Sequence, residues 1–318
     1  MNNKAIVFGG SGFLGSHVCD ALVDSGYRVA VFDRRVSPYL KAGQEMIVGD
    51  ILDEAAVKKA VEGCRIVYNF AGISDIDEAA DKPFESIKSN ILGNAVILEA
   101  CRKAKPERFV FASSVYVYSK YGSFYRSSKQ ACELLIENYN EVYALPYTIL
   151  RYGSLYGPRS DERNYIYHVL KQALVEGKII REGDGEEIRE YIHVCDAARC
   201  SVDILCKEFV NQQVIITGNQ QLKVKDLLAM IREILGNKIN IEYTDPRDNY
   251  HYEVSPYTFM PKLAKRIVSS TYLDLGQGIF KSIQSMFEEL NSPAVPKGLI
   301  IEKQPQKKPK CAKAGTKK

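Results

Sequence analysis

The stretch Lys4-Ala5-Ile6-Val7-Phe8-Gly9-Gly10-Ser11-Gly12-Phe13-Leu14-Gly15 decides the architecture. Ala5 to Phe8 is an unbroken apolar run, the pattern of a strand buried on both faces. Gly9, Gly12 and Gly15 follow at G-x-x-G-x-x-G spacing, and Leu14 to Ser25 then reads as an amphipathic helix. Glycines at these places let the chain turn tightly, let backbone approach a pyrophosphate, and let helix and strand pack closely. The free N–H groups and dipole of the helix start, around Phe13 and Leu14, favour the phosphate charge.

The same alternation continues outward. Arg28 to Phe32, Glu45 to Val48, Arg65 to Phe70, Arg108 to Ala112 and Tyr147 to Leu150 read as strands. Helical patterns run over Leu14 to Ser25, Glu54 to Glu62, Phe84 to Lys103 and Ser127 to Val142. Buried strands alternating with helices predict an α/β fold of Rossmann type, a doubly wound parallel sheet. This unit is expected over residues 1–153, with 192–217 returning to it. A smaller mixed α/β substrate unit is expected over 154–290, holding helices at Tyr165 to Glu176, Asp196 to Cys206 and Lys225 to Leu235 and a turn at Gly183 to Gly185. Residues 291–318 read as a Lys-rich disordered tail.

The second strand ends on Asp33, which in such a fold faces the adenosine ribose hydroxyls and favours NAD. Arg34 and Arg35 follow directly, and either could instead bind the 2′-phosphate of NADP. Gly49-Asp50-Ile51 closes the third strand. Asp50 there accepts from an adenine amino group or serves the N-terminal turn of the helix beginning near Asp53.

Three Tyr-x-x-x-Lys patterns occur: Tyr116 with Lys120, Tyr125 with Lys129, and Tyr167 with Lys171. With 20 tyrosines in the chain, chance matches are expected. Tyr125 is preferred because it opens a helical pattern that puts it one turn from Lys129 on one face. It also follows the fifth strand, whose end at Ser113 and Ser114 delivers hydroxyls to the cofactor edge. A tyrosine of ordinary pKa near 10 is a poor base, so a neighbouring ammonium and a positive nicotinamide ring are expected to favour its phenolate. Tyr125 would then move the proton, Ser114 would hold the same oxygen, and Lys129 would tune Tyr125 and bind the ribose.

With these residues in place, the chain resembles the extended short-chain dehydrogenase/reductases, specifically the nucleotide-sugar epimerase/dehydratase family, over about Lys4 to Met286. The resemblance also rests on Asn69-Phe70-Ala71-Gly72, Asn90-Ile91-Leu92-Gly93-Asn94 and Leu150-Arg151-Tyr152-Gly153-Ser154-Leu155-Tyr156-Gly157-Pro158-Arg159. Its most specific part is Gly183-Asp184-Gly185-Glu186-Glu187-Ile188-Arg189-Glu190-Tyr191-Ile192-His193-Val194-Cys195-Asp196. It implies that Phe70, Ala71, Gly72, Asn90 and Tyr152 contact the cofactor and that Ser154 and Arg189 contact the substrate, Arg189 through the diphosphate. It also implies a homodimer joined by the helices around Phe84 to Lys103 and Ser127 to Val142. The sequence departs from the family pattern in the short Ser114 to Tyr125 segment, in Ser154 where an asparagine is usual, and in Glu190 where an aspartate is usual. Relatives that eliminate water carry an Asp-Glu pair just after the catalytic hydroxyl, and nucleotide-glucuronate decarboxylases a Glu. Here Val115 and Tyr116 stand there. The expected reaction is therefore NAD-dependent 4-epimerisation of a nucleotide sugar. The alternatives are a 4-ketosugar reductase using NAD(P)H and a non-catalytic nucleotide-binding scaffold.

Composition narrows the rest. With 46% hydrophobic residues a core is affordable. Eight scattered cysteines without C-x-x-C pairs read as reduced residues of a cytoplasmic protein. No run reaches the length of a membrane span. His17, His168, His193 and His251 lack ligand spacing, so no metal is expected and all four are read as structural. The net charge of +4 is concentrated in the tail, where Lys297 to Lys318 holds eight lysines against the single Glu302. An acidic body with such a tail is not the pattern of a nucleic-acid binder.

Overall fold

The computed structural model describes residues 3–245, 251–256, 265–267 and 271–289; the expected tail lies outside them. The glycine-loop unit forms as read: β1 (Lys4–Phe8), the loop, α1 (Phe13–Asp24) and β2 (Arg28–Asp33). β3 (Gln44–Val48), α2 (Glu54–Val61), β4 (Ile66–Asn69), α3 (Ile76–Asp81) and α4 (Pro83–Ser86) follow, then α5 (Gly93–Ala104), β5 (Arg108–Ser114), α6 (Ser123–Tyr143) and β6 (Tyr147–Tyr152). The second half adds β7 (Ser154–Tyr156), α7 (Tyr165–Glu176), β8 (Lys178–Glu182), β9 (Ile188–His193), α8 (Val194–Asp203) and β10 (Gln212–Ile216). β11 (Gln221–Lys223), α9 (Val224–Ile234), β12 (Asn240–Thr244), β13 (Lys265–Ile267) and α10 (Leu275–Glu289) complete it.

Eight strands make one parallel sheet in the order β13-β10-β6-β5-β4-β1-β2-β3. This is the doubly wound fold that the alternation predicts. Its inner strands β1, β4, β5 and β6 are buried on both faces. Val57, Ile97, Cys132 and Ile136 from α2, α5 and α6 cover one side. Val18, Leu22, Ala197 and Cys200 from α1 and α8 cover the other. The order reverses between β1 and β4, so the loops leaving their carboxyl ends diverge and open a crevice there. Register keeps those ends level, with Phe8 opposite Phe32 and Asn69, and Ser114 opposite Tyr152.

The second half builds a three-stranded sheet, β11-β9-β7, and a two-stranded one, β12-β8. They share a separate apolar cluster that includes Ile166, Leu170, Tyr191, Leu228 and Ile279. The helix expected over Phe84 to Lys103 is interrupted: Ile87–Leu92 is a π-helical segment between α4 and α5. Wide turns of this kind mark places where a side chain is diverted from the regular ladder. Here Asn90, buried, turns inward to bond the backbone of Ile73 on both sides.

One charged pair lies wholly inside the sheet–helix interface. Arg151 of β6 and Glu133 of α6 are both fully buried and bidentate, Nε to Oε1 at 2.9 Å and Nη2 to Oε2 at 2.6 Å. Ser113 donates to the same carboxylate at 2.5 Å, and Arg151 also donates to Tyr118 Oη at 2.5 Å and Gln213 Oε1 at 2.7 Å. Removing one partner strands a buried charge. Glu133→Ala should therefore destabilise the protein by roughly 3–5 kcal/mol in urea unfolding. The double change Glu133→Leu with Arg151→Met should cost clearly less than the sum of the single truncations.

Candidate active site

The crevice is a cleft of about 1940 Å³ running from the glycine loop to β9 and the 251–256 stretch. Gly9, Gly12, Phe13, Leu14 and Gly15 form its floor at the adenosine end. Gly9 has φ +77°, and a Cβ on Gly15 would lie 2.2 Å from the Gly9 carbonyl oxygen. No side chain caps α1, so the N–H groups of its first turn are left for a ligand. This cradle fits a dinucleotide pyrophosphate, and no larger residue could be accommodated at Gly15.

Asp33, Arg34, Asp50 and Ile51 line the same end. Asp33 accepts from Ser11 N–H at 3.1 Å and Arg35 N–H at 3.2 Å, so its carboxylate also braces the glycine loop. Asp50 accepts from Leu52 N–H, while Asp53 is the residue that caps α2. Phe70, Ala71 and Gly72 continue the wall after β4. Asn90 does not reach the cleft. It lies beneath Gly72, where a Cβ would meet Asn90 Oδ1 at 2.4 Å, and its amide is taken by Ile73 and Ser128. It shapes the wall without facing a ligand. Tyr152 lines the cleft, but its hydroxyl turns away to Ser201 Oγ at 2.6 Å, leaving only ring and backbone to a cofactor.

At the centre stand Ser114, Tyr125 and Lys129. Ser114 ends β5, and its Oγ accepts from Tyr116 N–H at 3.3 Å. Tyr125 and Lys129 sit one turn apart on α6, with the Lys129 ammonium 5.6 Å from the Tyr125 ring centre. Lys129 Nζ donates to the Ala112 carbonyl at 2.7 Å. Of the three Tyr-x-x-x-Lys patterns, this alone brings both members to the cleft. Lys171 is engaged by Glu162 on the surface, and Lys120 lies over the Tyr121 ring.

The electrostatics differ from the expected ones. Burial pushes the Tyr125 phenol up to about 12, although the hydrogen bond with Ser114 pulls the other way. Burial likewise pulls Lys129 down from 10.5 to about 8, with the Cys132 and Glu133 side chains opposing. Desolvation outweighs the Ser114 hydrogen bond, so these residues alone do not make a phenolate at neutral pH.

At the far end Arg189 leaves β9 and stacks over Tyr252, its guanidinium carbon 4.2 Å from the ring centre. Its Nη1 donates to the carbonyls of Ile188 and Glu253 at 3.1 and 3.3 Å. Ser154, at the start of β7, also lines the cleft. One feature went unread in the sequence: Tyr116 and His251 share a hydrogen bond of 2.7 Å on this wall. They are 135 positions apart, and no local pattern links them.

With this geometry in hand, the chain can be set beside known proteins. Residues 5–216 match the sequence model of the NAD dependent epimerase/dehydratase family. The protein belongs to that family; it is an enzyme, and its cofactor is NAD. It is 30% identical over 249 residues to the UDP-N-acetyl-alpha-D-glucosaminuronate decarboxylase of Bacillus cytotoxicus, covering 70% of this chain and 77% of that protein. It is 27% identical to the UDP-glucose 4-epimerase of Rhizobium meliloti, covering 78% and 86%. Among solved structures, UDP-glucose 4-epimerase of Thermotoga maritima with UDP-glucose superposes with a TM-score of 0.80 at 25% identity, covering 90% of this chain and 99% of that one. Among the described residues no helix is long and apolar enough to cross a membrane.

Two measurements test the central residues. Tyr125→Phe keeps the ring and loses only the oxygen, so turnover should vanish while NAD affinity by calorimetry stays nearly unchanged; Tyr116→Phe should lose much less turnover. The Lys129 ammonium is present below about pH 8 and lost above it. If it supports Tyr125, kcat should therefore decline on the alkaline side of that value. Lys129→Arg keeps its charge to higher pH and should move that limb upward; an unmoved limb would assign it to another group.

Proposed function

We propose that the protein inverts C4 of a nucleotide-activated sugar by transient oxidation at that carbon. One observation carries this reading: Ser114, Tyr125 and Lys129 meet in the cleft, and the two residues after Ser114 are Val115 and Tyr116, not carboxylates. Elimination or decarboxylation calls for a further acid or base at that edge, whereas oxidation and its reversal do not. NAD, when bound, supplies a hydride acceptor that can return what it takes. Tyr125 Oη, once deprotonated, takes the proton of the C4 hydroxyl and gives it back, and Ser114 Oγ holds the same oxygen. Lys129 contributes positive charge beside the phenol and a donor for the ribose. Asp33 faces the adenosine ribose. Arg189, planar and held from behind by Tyr252, takes the diphosphate, and Ser154 lies along the sugar.

The same reading includes a homodimer. Phe84, Ile87 and Leu92 are exposed apolar side chains on one helical run, and Phe124, Leu134 and Val142 on its neighbour α6; Phe84 is 71% and Leu134 52% exposed. A patch of this kind on adjacent helices suits a self-complementary two-fold contact. Light scattering at micromolar concentration should give a dimer, and Leu134→Glu should shift it toward monomer; a wild-type monomer would contradict the contact.

The reaction is tested with substrate deuterated at C4. An epimerase should keep the label in its product with no net change in nicotinamide absorbance, whereas a reductase would install hydrogen from unlabelled NAD(P)H and consume cofactor stoichiometrically. In the same assay Arg189→Ala should weaken nucleotide-sugar binding by roughly 1.5–3 kcal/mol and leave NAD affinity alone. Unaltered sugar-nucleotide affinity would remove the support for the substrate class.

A further inference from the structure

Tyr116 lies in the 3₁₀ turn Val115–Tyr118 directly after Ser114, tied to it through the Tyr116 N–H. Its ring is fixed on three sides. Tyr125 stands edge-on with centroids 6.2 Å apart, Tyr252 packs at 4.5 Å, and a Cβ on Gly122 would lie 2.7 Å from its Cδ1. Its hydroxyl bonds His251 Nδ1 at 2.7 Å. Tyr116, His251 and Tyr252 thus form one continuous wall of the cleft from Tyr125 to Arg189.

The Tyr116–His251 bond is not needed to pin the 251–256 stretch. Backbone already does so: the Glu253 carbonyl accepts from Ile188 N–H at 2.7 Å, Val254 bridges Ile188, and Tyr252 is buried. The Tyr116 phenol therefore stands on a ligand-facing wall, oriented by His251. A phenol oxygen offers one donor and two acceptor positions, and a single bond to His251 does not exhaust them. Whichever of the two atoms donates in that bond, the oxygen keeps a complementary position for a hydroxyl, a group that can donate and accept.

We infer that Tyr116, oriented by His251, binds one of the two sugar hydroxyls that flank the one served by Tyr125, that on C3 or that on C6. The inference rests on the reading above, because it takes the sugar to lie between Tyr125 and Arg189. Tyr116 touches substrate; His251 is a positioning residue that sets the direction of the phenol's hydrogen bond. A pyranose whose reacting hydroxyl meets Tyr125 Oη presents its neighbouring substituents along this wall. The pair therefore contributes to which sugar is accepted and not to the chemical step.

The test compares wild type, Tyr116→Phe and His251→Ala with UDP-glucose and its 3-deoxy and 6-deoxy analogues, following KM and kcat, with NAD affinity by calorimetry. Loss of one neutral hydrogen bond should raise KM for UDP-glucose roughly 2- to 12-fold in Tyr116→Phe and leave kcat nearly unchanged. With one of the two deoxy analogues, wild type and Tyr116→Phe should be indistinguishable, since the partner hydroxyl is gone. His251→Ala should show part of the KM rise, and adding it to Tyr116→Phe should cost nothing more. Equal KM for wild type and Tyr116→Phe, or an equal loss with all three sugars, would overturn the inference, the latter by showing a purely structural role. If wild type bound NAD and turned over no nucleotide sugar, the functional reading itself would fail and carry this inference with it.

Discussion

The Arg151–Glu133 pair is the constraint on which the site depends. Two charges with no solvent exposure cost several kcal/mol each to desolvate, and an apolar pair of similar volume could hold the interface as well. What the pair adds is register. Ser113 precedes Ser114, Tyr118 closes the turn that holds Tyr116, and Glu133 lies one turn beyond Lys129 on α6. A slip of α6 by one residue would rotate Glu133 by about 100° and leave the Arg151 guanidinium unpaired in the core. The rotation and height of α6 are thereby tied to β5, β6 and β10, and with them the approach of Tyr125 to Ser114. The ion pair sets the placement of Ser114 and Tyr125 from behind the cleft, whose lining it does not join.

Most of the large sheet was legible because its inner strands carry two-sided burial in their own sequence, as Ala5 to Phe8 does with no polar face to misread, whereas the short edge strand β13 was not read. The glycine loop was equally plain, since Gly15 packs against Gly9 in a space that no side chain could share. The second half was less legible. β8 and β12 are half-exposed strands of five residues that pair across 62 positions, Asn240 with Lys178, so neither announces itself locally. The resemblance placed Asn90 among the ligand-facing residues, but a matched motif does not report on which side of Gly72 a side chain lies. His251 had only its isolation to be read by, and isolation argued for a structural role. Its bond to Tyr116 exists only once the chain has folded back over the cleft.

Tyr125 and Lys129 show a second limit of sequence reasoning, which sees charges and not their hydration. The ammonium is near enough to favour a phenolate, yet burial moves the phenol up to about 12 and the amine down to about 8. Both groups are driven toward neutrality because the same walls exclude water from each. That low-dielectric setting has two consequences. It penalises an ion standing alone, and it magnifies the effect of any charge brought alongside. A cation placed against the Tyr125 ring therefore shifts its protonation more here than it would on an exposed helix. At neutral pH Tyr125 is then a phenol beside a charged Lys129, and its protonation responds to any further charge in the cleft. Its control lies in the burial of α6 against β5, which is the packing that the Arg151–Glu133 pair holds in register.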